Sequence, residues 1–173
     1  KRQHGLKLIS EKITDTGFTE IDRKDDVFDI TEIMKECNSK IIKKSLEKQH
    51  KIFAIKISKL KGLLGFEPYS DIRLGKEIGQ LVRFFGIGGV FHSDELPNYG
   101  IEEDDIKRVI EKIETKENDA FLIIAGDKIS VGFAIDSIIN RIKLAKDGPP
   151  AETRAATQNG DTVFLRPRPG ASR

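Results

Sequence analysis

The sequence predicts a mixed domain of sheet and helix over residues 51–146, and three observations carry that class. Two apolar runs, Lys51–Ile57 and Phe121–Ala125, have the length and composition of strands. Three segments around them repeat apolar residues at helical spacing. Stretches rich in glycine and proline mark the boundaries. The unit reads as strand, helix, strand, helix, strand, helix, and the third helix can cover one face of the sheet. Pattern alone leaves the strand order open.

Residues 1–50 read as a helical arm and junction leading into that unit. Leu6, Ile9 and Ile13 recur at helical spacing, and Thr16-Gly17 ends the helix. The charged stretch 19–26 is a loop before a short strand around Val27–Ile30. Asp29 or Thr31 can cap a short helix carrying Ile33, Met34 and Cys37. Ser39 can cap another, with Ile42 and Leu46 on one face and Lys40, Lys43, Lys44 and Lys48 on the other.

In Lys51–Ile57, alternation puts Phe53, Ile55 and Ile57 on one side. Gly62–Gly65 and Glu67-Pro68 form a turn-rich connection. Leu74, Ile78, Leu81, Val82 and Phe85 then make a helical stripe. Gly75 and Gly79 lie in it, each costing about 1 kcal/mol relative to alanine, which predicts close approach of another backbone. Gly86-Ile-Gly-Gly89 stops that helix and Gly89–His92 forms a short strand. Ile106, Val109, Ile110 and Ile113 define a helix over 102–115, its first turn crowded with acids that favour the helix dipole. After Phe121–Ala125, a long helix carries Ile135, Ile138, Ile139 and Ile142 until Asp147-Gly-Pro-Pro150 ends it. Residues 147–173 are polar, with one strand-like run at Val163–Leu165, and cannot make their own core.

Composition bounds the function. The 173 residues are 38% hydrophobic and 34% charged, with a formal net charge of +2, so overall charge does not announce a nucleic-acid binder. The single cysteine, Cys37, excludes an intrachain disulfide and the usual zinc clusters and fits a reducing cytoplasm. No apolar run approaches the roughly 20 residues needed to cross a bilayer, and no signal-peptide pattern is present. The chain starts at Lys1 and stops within an arginine–proline motif, so it reads as a piece excised from a larger protein.

Three groups of residues invite a chemical reading. His92, Ser93, Asp94 and Glu95 are consecutive, so their side chains diverge and do not converge on a metal. Their expected role is structural: Ser93 and Asp94 satisfy amides of a tight turn, Pro97 fixes φ, and Gly100 permits entry into the next helix. Gly86–Gly89 lacks the lysine and hydroxyl of a phosphate-binding loop and follows a helix, so it reads as a helix stop. The lysines 40, 43, 44 and 48, continued by Lys59, can track a phosphate backbone or form a solvated face. Arg154, Arg166 and Arg168, the last two in the proline-rich run Arg166-Pro-Arg-Pro169, suit phosphate or carboxylate recognition or form a loose chain end, with Glu152 and Asp161 as the acids among them. No nucleophilic triad is available from three histidines.

Several motifs in order carry a resemblance: Lys61–Gly65, Arg73–Glu77, Gly89–Ile101 and Asp119–Gly126, then Glu152–Arg154, Asn159–Thr162 and Leu165–Gly170. The chain resembles the family of the E subunit of archaeal glutamyl-tRNA(Gln) amidotransferase. More narrowly, it resembles the inserted domain shared with bacterial aspartyl-tRNA synthetases, the GAD domain, and the chain that re-enters the catalytic cradle. It departs where Ile101 runs straight into Glu102 without the usual Ser or Thr cap, and at Gln158-Asn159 and Arg168.

The resemblance implies an α+β fold for residues 51–146, a two-layer antiparallel sheet packed with helices in a DCoH-like arrangement. Residues 147–173 would return to the cradle. It also implies a parent ligase that turns Glu-tRNA(Gln) into Gln-tRNA(Gln): ATP, with Mg²⁺, activates the glutamyl carboxylate, and ammonia comes from an asparaginase-like D subunit. Glu152, Arg154, Arg166 and Arg168 would face the phosphate side of that parent. The inserted domain itself is expected to be accessory, with no catalytic residue, metal or cofactor of its own, positioning tRNA or a partner. The competing readings are a docking module that never touches RNA and an appendage of an aspartyl-tRNA synthetase.

Overall fold

Strand β4 (Ala120–Gly126) is buried at all seven of its residues, and the rest of the fold is arranged around it. The structure is a computed structural model that describes residues 1–148. β4 lies between β2 (Lys51–Ile57) and β3 (Gly89–His92), and β1 (Val27–Asp29) adds to the outer edge of β2, giving the order β1-β2-β4-β3. Every pair is antiparallel, with Ile55 opposite Leu122, Ala54 opposite Ile123 and Val90 opposite Ile124. β2 and β3 are joined through α3 (Leu74–Phe84), with β4 inserted between them as in a split β-α-β unit. The expected antiparallel α+β class is borne out.

Alternation decides which core each strand residue enters. Ile55, Ile57, Leu122 and Ile124 point to the face covered by α1 (Arg2–Thr16), α3 and α5 (Lys128–Asp147). Ile52, Ala54, Phe91, Phe121 and Ile123 point to the other face, covered by α2 (Lys40–Glu47), α4 (Glu103–Ile113) and the short helical turn Glu32–Met34. Helices therefore lie on both faces, where one helical layer was expected. The cause is legible in β4, apolar on both side-chain rows, and in β2, apolar on both apart from Lys51 and Lys56, so both faces must be covered. Each fully buried isoleucine contributes about 1.5–3 kcal/mol relative to exposure.

Residues 1–50, expected as an arm, supply parts to both cores. Ile9 and Ile13 of α1 join the α5 side, and Ile30, Met34, Cys37 and Ile42 join the other. The Ser10 hydroxyl donates to the Lys146 carbonyl at 2.7 Å, tying α1 to the end of α5. Glu77 of α3 pairs with Arg141 of α5 at 3.0 Å and with Arg2 of α1 at 2.6 Å, so one carboxylate joins three helices.

Two expectations about glycine are corrected in part. A Cβ on Gly75 would lie 2.7 Å from the His92 ring and 2.9 Å from the Leu64 carbonyl, so close approach is real there. At Gly79 nothing lies within 4 Å of that position, and packing does not require a glycine.

Candidate nucleic-acid interface

Helix α2 presents the lysines because its opposite face is committed to the core. The Ser39 hydroxyl accepts from the Ile42 amide at 3.3 Å, the expected cap, and Ile42 is fully buried. Lys40, Lys43, Lys44 and Lys48 are all exposed. Lys44 and Lys48 stand in the last turn and at the C-cap, where positive charge also favours the helix dipole.

The structure brings Lys44 and Lys48 to a cleft of about 300 Å³ with His50, Gly88, Gly89 and Asp127. Gly86 ends α3 with φ +76°, and a Cβ on Gly89 would collide with Ile41 of α2. The glycine run therefore stops a helix, as expected, and also lets α2 sit against the sheet edge. Asp127 caps α5, accepting from the Ser130 amide at 3.0 Å; that hydrogen bond holds its carboxyl below the usual range. Its negative charge is set against Lys44, Lys48 and the His50 ring, while Lys40 and Lys43 continue the positive row outside the cleft.

Lys59 is not part of this group. It follows β2 whereas α2 precedes it, so the seven residues of β2, roughly 20 Å of strand, separate them. The Lys59 amide instead donates to Asp119 at 3.0 Å. Near in sequence, Lys59 and α2 are held apart by the strand.

In the 92–100 motif, Asp94 and Ser93 hydrogen-bond backbone amides far away in the chain. Asp94 accepts from the amides of Gly62 at 2.8 Å, Leu64 at 2.9 Å and Gly65 at 3.1 Å, clamping the 61–65 loop rather than its own turn. Ser93 Oγ accepts from the Phe121 amide at 3.0 Å, where β4 begins. Glu95 accepts from the His92 amide at 2.9 Å, and His92 Nδ1 is buried with no hydrogen-bond partner among the described residues. Pro97 follows a cis peptide bond. Gly100 has φ +87°, and a Cβ there would lie 2.6 Å from the Asn38 carbonyl oxygen. It is this contact with the 38–39 backbone, more than helix entry, that requires glycine.

The cap of α4, where the usual Ser or Thr is missing, is supplied by Asp105, which accepts from the Glu102 amide at 2.9 Å. Asp105 is 4% exposed and pairs with Arg108, which also donates to the Ile33 carbonyl at 3.3 Å. Nearby Cys37 is fully buried, and burial pushes its thiol up, so it is a packing residue and not a nucleophile.

Glu152, Arg154, Arg166 and Arg168 lie outside the described residues. Among the described residues no three or more His, Cys, Asp or Glu side chains gather as a metal site. These residues offer no donor set for Mg²⁺, and no step of ATP chemistry is assigned to them. No described helix is long and apolar enough to cross a membrane.

A family model described as the GAD domain matches residues 42–135. The chain belongs to that family. The matched span of the GAD domain starts within α2 and ends within α5, and so contains the residues that line the lysine cleft apart from Ile41. The glutamyl-tRNA(Gln) amidotransferase E subunit of Sulfurisphaera tokodaii is 42% identical over 176 residues, covering 100% of this chain and 28% of that protein. The protein of the same name from Saccharolobus solfataricus is 44% identical over 176 residues, covering 99% of this chain and 28% of its own length. That of Methanocaldococcus jannaschii is 40% identical over 174 residues, covering 99% and 27%. This GAD domain chain therefore spans about 28% of the length of the curated relatives it matches, and the resemblance read from its motifs is borne out.

Proposed function

We propose that this GAD domain is the accessory tRNA-contacting part of the E subunit of a glutamyl-tRNA(Gln) amidotransferase. The parent would work in the cytoplasm with an asparaginase-like D subunit, converting Glu-tRNA(Gln) to Gln-tRNA(Gln) at the expense of ATP with Mg²⁺. The name shared by relatives about 40% identical along the whole chain supports the parent reaction. The observation that carries the RNA contact is the row of exposed lysines on α2 meeting the Gly86–Gly89 loop at one cleft. Lysines spaced along a helix neutralise successive phosphates without reading sequence, which suits positioning rather than identity.

A second reading has its own observation. Phe84, Ile129 and Phe133 are 85%, 73% and 60% exposed, on the helices of the layer opposite α2. Apolar side chains left in water favour contact with another protein surface. The two readings use different faces and are compatible.

Hydrogen exchange on the chain with and without tRNA(Gln) tests the RNA contact. The expected result is slowed exchange at residues 40–48 and 86–89, with α1 and the far end of α5 unchanged. Protection confined to α3 and α5, or none at low salt, would assign the domain to docking alone.

A further inference from the structure

A second cavity, of about 320 Å³, opens between α3 and β3 on the other side of the Gly86–Gly89 loop. Its floor is apolar, made by Ile78 and Val82 of α3 with Val90 and Leu122 of the sheet. Arg73, Lys76 and Arg83 line it from the α3 side. Arg73 and Lys76 are shared with Glu67 and Asp71, while Arg83 forms no ion pair among the described residues. At one end stand the His92 ring and the Glu95 carboxylate, 3.6 Å apart.

Two glycines on its walls have no internal reason to be glycine. Neither Gly79 nor Gly88 has a positive φ, and nothing lies within 4 Å of where a Cβ would stand. In the middle of α3, Gly79 costs about 1 kcal/mol relative to alanine. Gly75 and Gly89, by contrast, are required by His92 and Ile41. What the bare backbones at 79 and 88 leave is open wall on the two sides of an apolar slot. A flat ring fits such a slot, and the cations at its rim suit an anion attached to that ring.

We propose that this cavity binds one nucleotide: the base between Gly79 and Gly88 over the apolar floor, and the phosphate on the Arg73, Lys76 and Arg83 rim. Glu95 and His92, which also line the cavity, offer hydrogen-bond partners to the polar edge of the base. Ile87 and Gly88 line both this cavity and the lysine cleft, so a strand tracked along α2 crosses the loop between them. The nucleotide chemistry stands on the cavity alone. Its source as an unpaired RNA residue, rather than a free mononucleotide, rests on the RNA reading above.

Amide NMR of the chain, titrated with AMP, CMP, ribose 5-phosphate and inorganic phosphate, tests the cavity. Saturable shifts at Gly79, Gly88 and Val90 with the mononucleotides, and not with ribose 5-phosphate or phosphate, are expected. A short single-stranded RNA is expected to move the same amides and those of α2, whereas mononucleotides leave α2 unmoved. Lys44→Glu/Lys48→Glu is expected to weaken the RNA and spare the mononucleotide; if it spares both, the α2 contact fails and the cavity stands. Gly79→Leu, which removes a helix-weakening glycine and so folds, is expected to lower nucleotide affinity at least about tenfold. Nucleotides that leave these amides unmoved, that bind G79L as tightly as the parent chain, or that are replaced there only by an acidic peptide would overturn the proposal.

Discussion

The Asp94 carboxylate accepts a hydrogen bond from the Leu64 amide at 2.9 Å across 30 residues of chain. Gly62 and Gly65 donate to the same carboxylate, so a single side chain fixes the path from β2 towards α3. Asp94→Ala leaves three amides without this acceptor and removes a charge-assisted bond. It should cost about 2–3 kcal/mol, read as a shift in the urea midpoint at constant slope. Asp94→Asn, which keeps one carbonyl oxygen, should lose less.

Two glycines should respond in opposite directions to the same substitution. Gly100→Ala places a Cβ at φ +87° and against the Asn38 carbonyl, and should destabilise by more than about 2 kcal/mol. Gly79→Ala meets open space in a helix and should stabilise by up to about 1 kcal/mol. Thermal melts of both variants beside the parent chain decide the matter.

Glu77 carries a pH dependence with a definite sign. Burial pushes its carboxyl up, but the Arg141 and Arg2 guanidiniums outweigh burial and hold it below the ordinary glutamate value. Its contribution to stability is therefore complete above the unfolded value and is lost as pH falls through the lower folded one. Between about pH 5 and pH 3 the parent chain should lose more stability than Glu77→Gln. At neutral pH that variant should already be weaker by about 1–2 kcal/mol, since the pair is only partly buried. Equal slopes for the two proteins in acid would count against the charge network.

Much of the fold was legible because its determinants are local. The unbroken apolar run of β4, the alternation in β2 and the 3.6-residue repeat of α3 to α5 each announce an element and its buried side. The α2 lysines were legible for the same reason. What depended on partners far along the chain was not. The Asp94 clamp on residues 62–65, the Glu77 bridge between α1 and α5 and the contact of Gly100 with Asn38 leave no periodic trace. Sequence distance groups Lys59 with α2 but ignores the strand between them. The meeting of Lys44 and Lys48 with Gly86–Gly89 follows only from the order of strands, which pattern left open. Asp105 took over a cap that Ser or Thr usually supplies, so reading only the expected cap position understated that helix.

The salt dependence of tRNA(Gln) binding, measured by fluorescence anisotropy on the chain and on Lys44→Glu/Lys48→Glu, tests the RNA contact most directly. The logarithm of affinity should fall linearly with the logarithm of salt, and the double variant should lose about one to two units of that slope. The same slope and affinity in both proteins would contradict phosphate contact at the α2 cleft.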